Sequence, residues 1–272
     1  ALYLIYRQQL GVAVKYTVVI IVLTSWGFSR LPTMKDVTPA EVRLAASQLT
    51  ILVAFMFSFV LAMTAAFLGA PAIAGDIESG VAQSMLARPI RRADLLVGRW
   101  LGLSLVVGGY AALSGLLEIA VVGALTGHTP PEPLLAVGFL AAQAIVVLTL
   151  ALLLSTRLPS IAGGAICVVL FGLAWMAGIF AGIGRLFDVE ALVTVARASR
   201  WLFPTDGLWR GVIFGLEPPL VVFGAGGAVG RAAEANPFFA SSPPPLEFVI
   251  WSVIWIAVVL GLAVWSLERR EV

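Results

Sequence analysis

Cysteine and histidine are almost missing from this chain: Cys167 and His128 stand alone among 272 residues. A single cysteine closes no disulfide within the chain. One histidine and one cysteine cannot build a zinc site or supply paired axial ligands to a haem, so any metal chemistry would have to rest on carboxylates. Charge is scarce too: 12% of residues are charged, against about 25% in ordinary soluble domains. The formal net charge of +2 is too small to imply a nucleic-acid partner. No HExxH, GxSxG or P-loop sequence occurs, so nothing here marks a metalloprotease, a serine hydrolase or an ATP site of the chain's own.

What the chain has in excess is apolar length. With 60% hydrophobic residues, eight tryptophans and a mean hydropathy of +1.02, it reads as an all-α polytopic membrane protein. Residues 1–272 form a single transmembrane domain with six spans, at about 11–28, 50–74, 95–125, 134–154, 161–183 and 246–267. The first apolar run ends in TSWGFSR without a small-x-small cleavage site, so it is expected to remain as a membrane helix. Ahead of it, residues 1–10 put Leu2, Ile5, Tyr6 and Leu10 on one side, the pattern of a short helix lying in the interface. Thr38-Pro39-Ala40-Glu41 is a helix start, with a threonine cap, proline at the first helical position and a capping-box carboxylate. The helix that follows meets no breaker before Gly69 and Pro71.

Between the second and third spans lies a polar island, residues 75–99, GDIESGVAQSMLARPIRRADLLVGR, in which seven of 25 residues are charged. Ile77, Val81, Met85 and Leu86 recur at helical spacing, so its first half reads as a short amphipathic helix. Pro89 interrupts it, and a second helix begins near Arg91. This is the pattern of a docking surface for a soluble partner; the plain alternative is a solvated loop with snorkelling arginines. Six spans put both termini, the island and the 155–160 turn on one side. Over short loops that side carries nine basic residues against three, Arg30, Lys35 and Arg43, so the island and both termini are expected to be cytoplasmic.

Glu118 is the one carboxylate well inside a span, on a face with Ser104, Gly108, Ala111 and Gly115. An intramembrane acid is a functional candidate; hydrogen-bonded packing is the alternative. An intramembrane enzyme built on it would need a second catalytic group at membrane depth, and the spans offer no second acid and no histidine. The fifth span contains Gly178-x-x-x-Gly182, a spacing for close helix contact. Residues 184–245 form a long external connection. In it, residues 187–201 are amphipathic, with Leu192, Val195 and Ala196 opposite Arg197 and Arg200. A short helix follows around Pro204, Thr205, Asp206, Trp209 and Arg210, and its aromatic neighbours place it on the membrane surface.

The island resembles the cytoplasmic segment of type-2 ABC transporter permeases, whose pattern runs close to E-x-E-x-G-T-L, then P-[IV]-x-R, then L-L-x-G-[KR]. Asp76, Glu78, Gly80, Pro89, Arg92, Leu95, Leu96, Gly98 and Arg99 carry the match. Val81 stands where threonine is usual, and Asp76 replaces a glutamate. LFPTDGLWR, residues 202–210, is similar to a segment of the permeases that serve copper-site maturation in nitrous oxide reductase, with Phe203 in place of asparagine. The resemblance implies a non-catalytic membrane subunit of an ATP-driven complex in a prokaryotic cytoplasmic membrane. Two permease copies would pair, and each would hold a cytosolic ATP-binding subunit that carries ATP and Mg; this chain would bind no cofactor or metal itself. It also implies a coupling helix contacting that subunit through Asp76, Glu78, Gly80, Val81, Met85, Arg88, Pro89 and Arg92. The apolar spans suit a hydrophobic cargo. A second reading keeps the complex but has it act on an extracytoplasmic partner docked on the external connection, without transport.

Overall fold

In the computed structural model, which describes residues 2–33, 38–80, 91–216, 236–240 and 242–270, every regular element is helical. α1 spans Leu2–Arg30, α2 Pro39–Gly69, α3 Pro71–Glu78, α4 Arg92–Thr126 and α5 Pro133–Ser155. α6 spans Ser160–Leu186, α7 Glu190–Leu202, α8 Thr205–Leu216 and α9 Leu246–Glu268. Six segments are long and apolar enough to cross a membrane, with α2 and α3 together making one of them.

Local signals set several boundaries. The Thr38 hydroxyl accepts from the Glu41 backbone N–H at 3.3 Å, and the Glu41 carboxylate accepts from the Thr38 N–H at 2.7 Å, the reciprocal capping box expected from the sequence. Pro71 starts α3 directly behind the end of α2, because its ring removes one helical hydrogen bond. Gly127, in the left-handed region at φ 68°, closes α4, where a side chain would be strained. The separate interfacial helix expected over residues 1–10 is not separate. α1 is continuous from Leu2 to Arg30, since no proline interrupts it and Gly11 is tolerated within a helix.

α5 is the centre of the bundle, packed by α2, α4, α6, α8 and α9. It carries no charged residue and is apolar on all sides, which suits a helix that meets neighbouring helices on some sides and faces lipid on the rest. Its few polar side chains bridge helices: Gln143 Oε1 accepts from Ser58 of α2 at 2.8 Å, and Thr149 accepts from Trp100 of α4 at 2.9 Å. Gly69 brings the end of α2 onto α5; a Cβ there would lie 2.8 Å from that of Ala151. α1 lies at the edge, held to α4 by the Thr17–Tyr110 and Thr24–Glu118 hydrogen bonds.

The long connection does not lie flat on the surface. After α6 the chain reverses through Asp188, at φ 54°, a conformation aspartate tolerates better than most residues. α7 then runs back along α6, with Ala196 buried against Ala177 and Ala181. α8 turns round again and leaves along α5. The tip between α7 and α8 reaches Gln143, about 15 Å along α5, and Trp255, about 14 Å along α9. The pair is thus a hairpin entering and leaving by the face opposite the termini.

This corrects the expected surface helix. Pro204, Thr205, Asp206 and Trp209 are all buried, Trp209 to 2% exposure, and only Arg210 is partly open. The physical reason is a stripe of glycines, Gly207, Gly211 and Gly215, one turn apart. A Cβ on them would fall 2.2 Å from the Phe248 ring, 2.5 Å from the Phe139 ring and 2.9 Å from backbone atoms of Glu132 and Ala136. Bare backbone lets α8 seat between α5 and α9, while Leu208, Val212 and Ile213 fill the core.

Candidate functional site

The flanks of the island are tied into the bundle. Asp76, on α3, is 3% exposed and forms an ion pair with Arg99 of α4. A carboxylate at that depth needs a counter-charge. It therefore faces inward, a correction to its expected place on the docking surface. Glu78, exposed at the end of α3, accepts from the Ser160 backbone N–H at 2.8 Å and from its hydroxyl at 3.0 Å. Pro159 gives α6 no side-chain cap, so Glu78 supplies one, a negative charge where the helix dipole favours it. Gly80, at φ 73°, turns the chain out of α3. Val81, Met85, Arg88 and Pro89 lie outside the described residues.

On the other flank, Arg92 opens α4 and donates to the backbone carbonyls of Leu267, Glu268 and Arg270, at 3.0, 3.2 and 2.7 Å. The last carbonyls of a helix have no partner within it, and a guanidinium satisfies them while opposing the dipole. Arg157 does the same nearby, bonding the Ser266 hydroxyl at 2.9 Å and its carbonyl at 3.0 Å, and Arg270 reaches the Thr156 carbonyl. Residues 81–90 thus connect two anchors, one held by α4 and α6 and the other by α9.

The hairpin on the opposite face has its own charged centre. The Asp206 carboxylate accepts from Arg200 Nε at 3.0 Å and Nη2 at 2.9 Å, with Arg210 Nε 3.8 Å away. Gly178 makes room for it: a Cβ there would lie 2.0 Å from Asp206 Oδ1. Around the tip, side chains of α5 and α9 meet three of the carbonyls that the turn frees. Trp251 Nε1 donates to Trp201 at 2.9 Å, Trp255 Nε1 to Leu202 at 2.7 Å, and Gln143 Nε2 to Thr205 at 3.2 Å. Non-helical backbone at membrane depth is tolerated only where protein supplies such donors. The GxxxGxxxG stripe and the donors opposite it were the signals available in the sequence; the aromatic residues alone pointed to the surface.

Glu118 is buried against α1, accepting from the Thr24 hydroxyl at 3.1 Å. A void of about 20 Å³ beside it is lined by Thr50, Gly115, Ile119 and Leu140 among others, with no second titratable group. The described polar contact of Glu118 is thus one that joins α4 to α1.

Six segments long and apolar enough to cross a membrane, the apolar α5 central among them, define a polytopic membrane protein. A family model described as ABC-2 family transporter protein matches residues 9–206, and the chain belongs to that family. It is an ABC transporter permease of the type-2 kind. Compared with curated proteins, the chain matches none.

Proposed function

We propose that this permease couples ATP hydrolysis on a separate cytosolic subunit to the export or movement of a hydrophobic substrate. The ATP-binding partner docks on residues 81–90 from the cytoplasmic side, where both termini also lie, and a second permease copy completes the complex. The observation that supports this is the anchoring of the island's flanks. Asp76–Arg99 and Glu78–Ser160 tie one end to α4 and α6, and Arg92 ties the other to the end of α9. A push on the segment between them moves three spans together, because paired and hydrogen-bonded contacts transmit displacement. Docking and transmission are then separate tasks of separate residues: Val81, Met85 and Arg88 meet the partner, while Asp76, Glu78 and Arg92 pass on the load.

Within the family we place the chain beside permeases of the copper-maturation kind by layout, on Pro204, Thr205 and Asp206; Phe203, in place of asparagine, departs from their pattern and weakens any claim to a shared substrate. The reading without transport has an extracytoplasmic partner dock on the 184–245 connection, where α8 is buried and α7 keeps an exposed face with Val195, Trp201 and Leu202. Co-purification with the ATP-binding subunit and measurement of ATP turnover test the proposal. Met85→Glu should abolish association, a charge in an apolar groove. Arg92→Gln should keep association while substrate stimulation of turnover falls. Equal association of wild type and Met85→Glu would overturn the docking assignment.

A further inference from the structure

The same hairpin encloses a cavity of about 380 Å³ on the face opposite the termini. Four arginines line it: Arg185 from the end of α6, Arg197 and Arg200 from α7, and Arg210 from α8. No described lining residue is acidic. The one described carboxylate in contact with these arginines is Asp206, which sits behind Arg200 and Arg210. Arg197 is exposed and forms no ion pair among the described residues. It stands three residues before Arg200, on the same helical face; Asp206 balances Arg200, so Arg197 adds a second positive charge at a like-charge spacing.

Guanidinium groups stay protonated in any protein setting, so this charge cannot be relieved by losing protons. Planar donors converging on one space match the oxygens of a phosphate-type oxyanion. The remaining wall is of another kind. Trp201, Phe248 and the proline run 243–245 line it, and Leu202 and Ile250 lie exposed on the two helices that bear that wall. Charge on one side and apolar surface on the other fit a ligand with both characters.

We propose that this cavity binds the oxyanionic headgroup of an anionic amphiphile, its phosphate on Arg197 and Arg200 and its apolar part along Trp201 and Phe248. The site stands on this geometry whether or not the chain couples to an ATP-binding subunit. Binding of phosphatidylglycerol, phosphatidylcholine and inorganic phosphate to the full chain is measured by native mass spectrometry and by thermal stabilisation. Wild-type protein should prefer phosphatidylglycerol over phosphatidylcholine by about tenfold or more, because both carry the phosphate but the choline cation is repelled by the same arginines. Arg197→Glu and the milder Arg197→Gln should remove that preference, while Arg43→Glu, an exposed charge on the same face outside the cavity, should retain it. Loss of the preference in Arg197→Gln at an unchanged unfolding midpoint separates binding from folding. A preference absent in wild type, or equal in wild type and both Arg197 variants, overturns the site. Inorganic phosphate binding as tightly as the lipid overturns the amphiphile and leaves a soluble oxyanion.

Discussion

The two ends of the bundle use arginine in opposite ways. On the face with the termini, Arg92, Arg157 and Arg270 donate to backbone carbonyls at the ends of α5 and α9, and Arg99 holds Asp76. Each of these groups is an internal tie. On the other face, four arginines line a cavity, and two of them, Arg200 and Arg210, pair with Asp206. The lesson is that a count of basic residues per side describes the electrostatic field the membrane feels, and leaves open what those residues hold. Helix ends with unpaired carbonyls absorb arginines on one face. The glycine-lined hairpin places its arginines along a cavity on the other.

The comparison can be broken most forcefully at Asp206. Asp206→Ala strands Arg200 and Arg210 beside Gly178 and should cost about 3 kcal/mol, the scale for removing one partner of a desolvated pair. Thermal unfolding would show a lowered midpoint, and hydrogen exchange should rise in α7 and α8 while α9's C-terminal end stays protected. Uniform loosening of both faces would mean that they are not independent. Gly211→Val tests the same hairpin without touching charge. Its new carbons meet the Phe139 ring, and overpacking of this kind costs about 1–3 kcal/mol; an unchanged midpoint would contradict the seating of α8.

Arg92→Gln is the mirror experiment on the tied face. Three carbonyl bonds weaken, for a loss of about 2 kcal/mol, and faster exchange should be confined to residues 262–270 and the start of α4. If α8 loosened instead, the assignment of faces would be reversed. The smallest effect is expected at His128, in the loop between α4 and α5. Burial, helped by the charge of Arg43, lowers its pKa from 6.5, so the folded protein binds this proton less readily than the unfolded chain. Stability from this group is present above about pH 6.5 and falls as pH drops below that value towards the lowered pKa. His128→Gln should flatten that slope in a melting series between pH 7.5 and 5; an identical slope would remove the histidine from account.

Much of the fold was legible because its signals are local. The spans follow from apolar runs measured against a fixed membrane thickness, and the α2 start from four adjacent residues whose capping bonds are all within the segment. The start of α4 one residue beyond Arg91 followed from Pro89 in the same way. The candidate site was legible only as a stretch. Asp76, Glu78 and Arg92 carried the family resemblance, yet their partners lie 23, 82 and more than 170 residues away, and no pattern within the island names them. The α8 error has a similar origin. Trp201, Phe203 and Trp209 look alike whether they meet headgroups or a protein core, and the decision rested with Phe139 and Phe248 opposite the glycine stripe.

Sequence alone determined the number of spans, the polar elbow and the family, because hydrophobic length, helix breakers and a contiguous motif are properties of neighbouring residues. Tertiary structure alone decided which charges are ties, which line a cavity and that α8 is buried. Those outcomes depend on distances between side chains that the chain separates and only packing brings together.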